Sequence, residues 1–268
     1  MIGKIYYKLP GFIVLLALLC QACSSPPKNE EELNLRFMSF NIHYGYTEEG
    51  IFDLSKAAKQ IVKLDPDIVA LQEVDVLTNR SKLTDIPKEL GKMTGLNPVF
   101  GKAIDYDGGA YGLAVLTKYP IINTKIHKLP NSGEAEQRIA LEVILQPDEN
   151  SSIRIVSTHL DYTNDALILL QSKTVNALFS DGTPTILAGD LNQTPDSPGV
   201  KVLKENWQPV FDASQNTFPA DNPTKKIDYM LLHPYNSWKV DNARIAASNG
   251  ASDHLPMVAT VTLTTQKQ

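Results

Sequence analysis

Short apolar runs bounded by polar or turn-forming residues recur from residue 35 onward, and they constrain the fold more than any other feature of the sequence. Residues 68–71 are uninterrupted and apolar, which is typical of a strand buried on both faces. Other segments have helical periodicity instead. Asp53 can cap a helix that places the apolar residues of 54–62 on one face, and Pro66 ends it. The pattern predicts an α/β domain.

The predicted strands outnumber the predicted helices, and several neighbouring strands lie close enough in sequence to form hairpins. Further helices are expected at about residues 85–94 and after a cap at either Thr163 or Asn164. The predicted strands cover residues 35–42, 67–71, 112–117, 121–129, 139–145, 153–157, 185–188, 227–232, 240–246 and 257–263. Many strands with few helices predict mixed sheets covered by helices, and patterning alone goes no further.

The N-terminal segment is not expected to belong to this domain. Its apolar run at residues 12–19 is too short to cross a bilayer, but it suits the core of a signal peptide. Ala22 precedes Cys23, an arrangement that resembles a bacterial lipoprotein signal, in which the cysteine is lipidated. Cys20 departs from the pattern, which prefers an aliphatic residue at that position. A plain secretory signal or an uncleaved anchor are the alternatives.

These features predict three parts of the chain. Residues 1–22 form a lipoprotein signal peptide, residues 23–34 a flexible tether rich in Pro, Ser and Glu, and residues 35–265 the folded domain. The predicted location is therefore exported and membrane-anchored through a lipid on Cys23, on a periplasmic or cell-surface face.

The charge of the mature chain bears on its partners. Cleavage after residue 22 removes two of the 25 basic residues and none of the 30 acidic residues, which leaves a net charge of about −7. Surfaces that bind nucleic acid are usually basic, because cations replace the counterions of the phosphates. The acidity therefore disfavours nucleic acid as a partner without excluding it.

Polar side chains that bind metals or transfer protons stand at the ends of several predicted strands. They are Asn41, Glu73, His159, Asp190, Asn192, Asp228, Asp253 and His254. Each has an ordinary structural explanation when taken singly, such as a turn or a cap. Sites gather at strand ends, because the backbone is fixed there while side chains reach outward. Their recurrence predicts that these side chains meet in one pocket.

Six short motifs contain these residues. They are Ser39-Phe40-Asn41, Leu71-Gln72-Glu73-Val74, Ser157-Thr158-His159-Leu160, Gly189-Asp190-Leu191-Asn192, Lys226-Ile227-Asp228-Tyr229 and Ser252-Asp253-His254-Leu255-Pro256. In this order they resemble the endonuclease/exonuclease/phosphatase superfamily over about residues 35–263. The resemblance implies a four-layer α/β/β/α sandwich of two mixed β-sheets flanked by helices. It also implies a metal-dependent phosphoric ester hydrolase, which we expect to be a monomer.

The resemblance implies a metal site. Glu73 would be the principal ligand, with Asn41 beside it and Asp253 nearby. Mg²⁺ is the expected ion, with Mn²⁺ as an alternative, since Mg²⁺ commonly uses one or two protein carboxylates and keeps several waters.

It also implies catalytic roles. Asp190 would lie next to the attacking water and Asn192 would orient that water or donate to the phosphate. His254 would bind or protonate a phosphoryl oxygen, with Asp228 holding its imidazole. His159 matches the second active-site histidine of the deoxyribonuclease and sphingomyelinase branches, which points away from abasic-site repair. Whether Asp190 or a histidine acts as the general base stays open.

Two arginines are candidates for substrate binding. Arg138 opens a predicted strand and could contact a phosphate through its planar fork, or simply lie at a sheet edge. Arg80 lies on the loop after Glu73 and could help to select the substrate, or be an exposed loop cation.

Three functions remain open on the sequence alone. The first is a phosphoesterase that acts outside the cytoplasm on a small or lipid-linked phosphate ester, with monoester and diester substrates undecided. The second is a surface nuclease that degrades DNA or RNA, which would require a basic groove. The third is a catalytically inactive binding module, which the intact set of polar residues disfavours.

Overall fold

The computed structural model describes residues 1–6, 30–234 and 237–266. The apolar run expected to form the signal peptide, together with most of the expected tether, lies outside the described residues. Within the described ranges, no helix combines the length and the apolar character that crossing a bilayer requires.

Twelve strands form two six-stranded sheets in the described part of the chain. The strands are β1 (Glu30–Asn41), β2 (Ile68–Val76), β3 (Asn97–Tyr106), β4 (Gly109–Thr117), β5 (Ile121–Lys128), β6 (Ile139–Leu145), β7 (Ile153–His159), β8 (Thr185–Asp190), β9 (Gln208–Pro209), β10 (Asp228–His233), β11 (Trp238–Ile245) and β12 (Met257–Gln266). The first sheet has the order β11-β12-β1-β2-β4-β3, and the second has the order β5-β6-β7-β8-β10-β9. Both sheets are mixed, with β1 parallel to β2 and β7 parallel to β8.

Helices cover the outer face of each sheet. They are α1 (Leu54–Leu64), α2 (Ile86–Thr94), α3 (Asp165–Phe179) and α4 (Pro198–Lys204). Asp53 caps α1 by accepting a hydrogen bond from the Ser55 amide at 3.0 Å. Of the two caps considered for α3, Asn164 is the one used, since its side chain accepts from the Leu167 amide.

Three apolar clusters hold these layers together. The central cluster lies between the sheets and includes Phe37 of β1 and Ile155 of β7. Because side chains alternate along a strand, Met38 of β1 points the other way, into the cluster beneath α1 and α2. The third cluster packs α3 and α4 on the second sheet, with Val175 and Leu187 among its members. The layer order is therefore α/β/β/α, and the predicted fold is confirmed.

The topology brings selected strand ends together. In the parallel pair of the first sheet, Asn41 at the end of β1 lies opposite Gln72. In the parallel pair of the second sheet, His159 at the end of β7 lies opposite Asp190 at the end of β8. Asp228 begins the antiparallel strand β10 directly opposite Asp190. The polar ends of both sheets thus meet at one edge of the sandwich.

Candidate active site

Glu73 lies in an irregular part of β2. The pairing of β2 with β4 shifts register between Leu71 and Val74, which places Gln72 and Glu73 in a bulge. Glu73 has a φ of 55°, a left-handed conformation that costs a non-glycine residue energy. This backbone directs the Glu73 side chain into the wall of a pocket at the sheet edge. Backbone strain of this kind tends to persist where it positions a functional group.

Asn41 joins the two sheets across the site. Its amide nitrogen donates to Glu73 Oε1 at 3.0 Å and to Asp190 Oδ2 at 3.3 Å. Its amide oxygen accepts from the backbone nitrogen of His43 at 3.1 Å, which fixes the orientation of the group. Asn41 therefore presents a hydrogen-bond donor to the two carboxylates, and its predicted metal contact stays a prediction.

His254 is held by a carboxylate from the second sheet. Its Nδ1 lies 3.0 Å from Asp228 Oδ2 and 3.2 Å from Oδ1. Burial opposes a charge on this ring, but the negative charge and hydrogen bond of Asp228 outweigh it and raise the pKa of His254 to about 10. The imidazole is therefore cationic at neutral pH, with Nε2 3.7 Å from Asp190 Oδ2.

Backbone contacts fix this pair. Thr217 Oγ1 accepts from the backbone nitrogen of Asp228 at 3.2 Å, and Ser252 Oγ accepts from that of His254. Thr217 carries no signal in the sequence that would mark it for this role. Ser252 opens the last of the six motifs, but the sequence does not show which group it contacts.

Asp190 lies at the centre of the site. Burial, and then the nearby charge of Asp228, raises the pKa of Asp190 to about 7. His159 Nε2 lies 3.6 Å from Asp190 Oδ2. Burial, reinforced by the positive charges of Arg138 and His254, lowers the pKa of His159 well below its ordinary value, so this ring is neutral. A buried carboxyl beside a neutral imidazole provides two groups able to take a proton from water.

Asn192 follows Asp190 in a tight turn. Its backbone nitrogen donates to Asp190 Oδ1 at 2.8 Å, and its side-chain nitrogen donates to the Leu160 carbonyl at 3.0 Å. The residue has a φ of 52° and lines the pocket. The turn thus orients Asp190, while the role predicted for the Asn192 amide toward water or phosphate stays a prediction.

The donor set fits a hard divalent cation at the more open side of the pocket. Glu73 and Asp253 both line the pocket and are partly exposed, so an ion there can keep water ligands. Among the described residues, Asp190, Asp228 and His254 also bring potential ligand atoms within 4.8 Å of one another. Because His254 is cationic and both oxygens of Asp228 face it, we assign that trio to a charge network and not to metal binding.

Arg138 lines the same pocket. Its side chain is only 5% exposed, and its Nη1 lies 3.1 Å from Glu136 Oε1. Glu136 lies beside Arg138 in the sequence but was not among the predicted site residues. In the sequence, a glutamate two residues before an arginine suggests only an ordinary ion pair, so Glu136 could not be recognised as a pocket residue.

Arg80 is placed differently. Its guanidinium binds Asp75 with both arms, through Nε to Oδ2 at 2.7 Å and Nη2 to Oδ1 at 2.8 Å. It also stacks 3.7 Å above the ring of Tyr44. Because its hydrogen-bonding fork is occupied, Arg80 is positioned to order the loop after Glu73. Its predicted substrate contact stays a prediction.

The pocket has a volume of about 530 Å³. It brings together seven of the predicted residues, and Asn41 and Asp228 contact members of that set. The lining residues expected from the sequence are Glu73, Arg138, His159, Asp190, Asn192, Asp253 and His254. Other lining residues are Tyr111, Glu136, Tyr162, Thr194, Phe218, Lys225 and Ile227. The sequence predicted the polar residues of the motifs better than the other lining residues, because aromatic and isolated charged residues have many structural uses.

Comparisons with known proteins agree with this geometry. The model of the Endonuclease/Exonuclease/phosphatase family matches residues 38–254. The uncharacterized protein YbhP of Escherichia coli is 24% identical over 254 residues, which cover 88% of this chain and all of that protein.

Solved structures share the fold. An endonuclease/exonuclease/phosphatase from Beutenbergia cavernae has a TM-score of 0.71 at 22% identity, covering 86% of this chain and 72% of that one. A mannosyl-6-phosphatase from Bacteroides thetaiotaomicron has a TM-score of 0.67 at 18% identity, covering 85% of this chain and 99% of that one.

Proposed function

The chain belongs to the endonuclease/exonuclease/phosphatase family, and on that premise we propose that it is a magnesium-dependent phosphoesterase acting outside the cytoplasm on a small or lipid-linked phosphate ester. Members of this family are generally hydrolases of phosphate esters and typically depend on a divalent metal. The proposal adds three points to this family assignment. The metal is magnesium, the chain is exported, and the ester is small or linked to a lipid.

One observation carries the proposal above all others. One pocket brings together Glu73 of the first sheet with Asp190 and His254 from other elements. The side chain of Asn41 donates hydrogen bonds to both carboxylates. Strand ends that serve only structure have no reason to bring two carboxylates and a cationic imidazole together, since burying charges is costly. Phosphoryl transfer needs such positioned charges more than it needs covalent chemistry.

Each group has a role in hydrolysis. A divalent cation held by Glu73 and Asp253 would neutralise charge on the phosphoryl oxygens. His254, kept cationic by Asp228, donates a hydrogen bond to a phosphoryl oxygen and stabilises the negative charge that develops there. Asp190 or the neutral His159 accepts the proton of the attacking water.

The nuclease alternative has less support from the pocket. Its lining includes two long basic side chains, Arg138 and Lys225, and Arg138 is already paired with Glu136. A surface that tracks a nucleic-acid backbone needs a row of free cations. The intact catalytic network likewise disfavours an inactive binding module.

The proposal predicts the behaviour of a bis-nitrophenyl phosphate reporter. Turnover should require magnesium or manganese, and it should fall by at least about 100-fold in Glu73→Ala and in His254→Ala, because each removes a positioned charge. Glu149→Ala and His233→Ala, which lie outside the pocket lining, are matched controls that should keep wild-type turnover. Circular dichroism of all four variants verifies folding. Wild-type turnover in both pocket variants with a chelator present would refute the assignment.

A substrate panel then separates the candidate functions. Sugar phosphates, inositol phosphates, sphingomyelin and supercoiled DNA are compared under one metal condition. Preferential nicking of DNA, with an affinity that falls steeply with salt, would establish the nuclease alternative instead.

A further inference from the structure

We propose that Glu136 and Arg138 form a subsite that binds hydroxyl groups on the alcohol portion of the substrate, so that the substrate is the phosphate ester of a sugar or a similar polyol. The inference rests on the proposed function and specifies the substrate class of the same pocket.

The pair is built into a rigid part of the molecule. Arg138 directly precedes β6, and its carbonyl accepts from the Leu129 backbone and from the Gln137 side chain. The Arg138 guanidinium is almost completely buried, whereas the Glu136 side chain is 35% exposed and lines the pocket. Burial raises the pKa of the Glu136 carboxyl above its ordinary value. A partly exposed carboxylate on a fixed arginine is a preformed acceptor in the pocket wall.

The pair is incompletely satisfied by the protein. Glu136 Oε1 and Arg138 Nη1 are 3.1 Å apart but are not aligned as a hydrogen bond. Among the described residues, neither Glu136 Oε1 nor Arg138 Nε has a hydrogen-bond partner, and His159 Nδ1 nearby also has none. Buried polar groups without partners are uncommon and costly. These three atoms are shielded from solvent, so a hydroxyl group in the pocket meets the pair through the exposed part of the Glu136 side chain, whose carboxylate can accept a hydrogen bond from it.

The charge of the wall argues against a second phosphate at this place. An additional phosphate would gain from Arg138 but would be repelled by Glu136, which already neutralises that arginine. Lys225, which is exposed, is the other long basic side chain in the lining. A neutral group that is rich in hydroxyls is not repelled by the charge of Glu136.

Two tyrosines add an apolar surface beside the pair. Tyr111 and Tyr162 line the same pocket, and the Tyr162 ring lies 6.0 Å from the Arg138 guanidinium. Tyr162 is largely exposed, so its ring is available to pack against the apolar face of a sugar ring. A volume of about 530 Å³ lies within the range of small-molecule sites and exceeds the needs of a phosphate group alone.

The test uses two esters that share one skeleton. Hexose 6-phosphates and cyclohexylmethyl phosphate both join the phosphate to a six-membered ring through a methylene group, but the second lacks the hydroxyls. The measured quantity is the ratio of their kcat/KM values, because differences in leaving-group reactivity cancel when this ratio is compared between variants.

We expect wild type to prefer at least one hexose phosphate. Glu136→Ala should lower the ratio by at least about 10-fold, since sites built to bind a hydroxyl lose selectivity when that bond is lost. Glu136→Gln, which keeps an acceptor oxygen, should retain part of the preference. Glu134→Ala, an exposed glutamate on the same loop and outside the pocket lining, is the matched control and should keep the wild-type ratio.

Four outcomes would overturn the inference. An unchanged ratio in Glu136→Ala would mean that Glu136 only supports Arg138. A raised magnesium half-saturation in that variant, equal for both esters, would make Glu136 a metal ligand. A wild type that hydrolyses the nitrophenyl reporter without preferring a hexose phosphate would remove the subsite and leave the proposed function standing. Failure to hydrolyse any ester with magnesium would remove both.

Discussion

Lys226 is a buried ammonium group close to Asp228 of the candidate site. The residue is only 4% exposed, and its Nζ has no hydrogen-bond partner among the described residues. It lies between the rings of Phe211 and Tyr229, 5.4 and 5.2 Å from their centroids. Burial, partly offset by the charge of Asp228, lowers the pKa of Lys226 to about 8. The folded protein therefore holds a charge that the unfolded chain would solvate better.

The sign of the resulting pH dependence follows from this lowered pKa. Below about pH 8 the lysine is protonated in both states, and the full penalty of burial is present. Between about pH 8 and the ordinary value of 10.5, the unfolded chain binds more protons, so this residue's penalty disappears as the pH rises.

We expect Lys226→Met to raise the free energy of unfolding at pH 7 by roughly 3 kcal/mol, because the pKa is lowered from 10.5 to about 8 and each pKa unit corresponds to about 1.4 kcal/mol. The gain over wild type should shrink between pH 8 and pH 10.5. Urea denaturation of both proteins at pH 7 and pH 10 measures it, and Lys225→Met, an exposed neighbour, should show no such gain. A less stable Lys226→Met at pH 7 would contradict this account.

Single residues also show what the sequence could and could not predict about the site. Asp190 and His159 were recognisable because their motifs place them at strand ends, where the register of neighbouring strands decides which residues meet. The positive φ of Glu73 and the pairing of Arg80 with Asp75 were not predictable. Both depend on a bulge and a loop whose geometry is set by distant packing.

At the scale of elements, caps and continuous apolar runs gave the most reliable predictions. Asp53 begins α1 as expected, since its carboxylate satisfies a free backbone nitrogen. Burial was less predictable for residues at the margin of an apolar stripe, because each successive residue is rotated by 100° about the helix axis. Val62 was expected on the buried face of α1, and it is exposed. Strand β3 was not predicted, because it is partly exposed and contains Pro98 and Gly101.

Strands β7 and β8 approach closely at Gly189, next to Asp190 of the candidate site. A Cβ at this position would lie 1.8 Å from the Thr158 carbonyl oxygen, which belongs to the backbone and cannot rotate away. Thr158 pairs with Gly189, and His159 pairs with Asp190 in the same ladder. Any side chain at residue 189 must therefore separate the strands that hold His159 beside Asp190.

We expect Gly189→Ala to lower Tm by roughly 2–12 °C, since overpacking costs about 1–3 kcal/mol and 1 kcal/mol shifts Tm by roughly 2–4 °C at this size. The kcat for the nitrophenyl reporter should fall as well, when measured at a temperature where the variant is folded. Gly182→Ala is the matched control, because a Cβ there meets nothing within 4 Å. Its only energetic cost is the positive φ of the residue. Equal Tm losses in the two variants would contradict the steric argument.

At the scale of the whole molecule, the candidate active site forms where the two sheets are held together near their polar edge. Gln72 of the first sheet donates to Ser157 Oγ of the second at 3.3 Å, and that hydroxyl donates back to the Leu71 carbonyl. These bonds lie beneath Asn41, which links the carboxylates above. The apolar pattern predicted mixed sheets covered by helices, and the layer order came from the family resemblance. The relative placement of the sheets depends on side-chain packing that no local pattern encodes.

The direction of β1 separates the pocket from the predicted anchor. The strand runs from Glu30 to Asn41, and at about 3.3 Å per residue its ends are roughly 36 Å apart. Cys23 precedes Glu30 by seven residues, which reach at most about 25 Å even when fully extended. If Cys23 carries a lipid, the tether joins β1 at the end opposite the pocket edge, so we expect that edge to face away from the bilayer, which would favour a small soluble ester over a lipid in the same membrane.

Fluorescence quenching by spin-labelled lipid tests this orientation in proteoliposomes of the lipidated protein. The sequence has two cysteines, Cys20 in the predicted signal peptide and Cys23, which would carry the lipid, so a thiol introduced in the domain can be labelled specifically. Lys239→Cys marks the end of the sandwich where β1 begins, since Lys239 pairs with Thr262 and lies close to Glu32. Lys225→Cys marks the pocket. We expect strong quenching at residue 239 and little at residue 225, because bilayer quenchers act over short distances. The reverse order would place the pocket against the membrane, and lipid-linked esters would then be the favoured substrates.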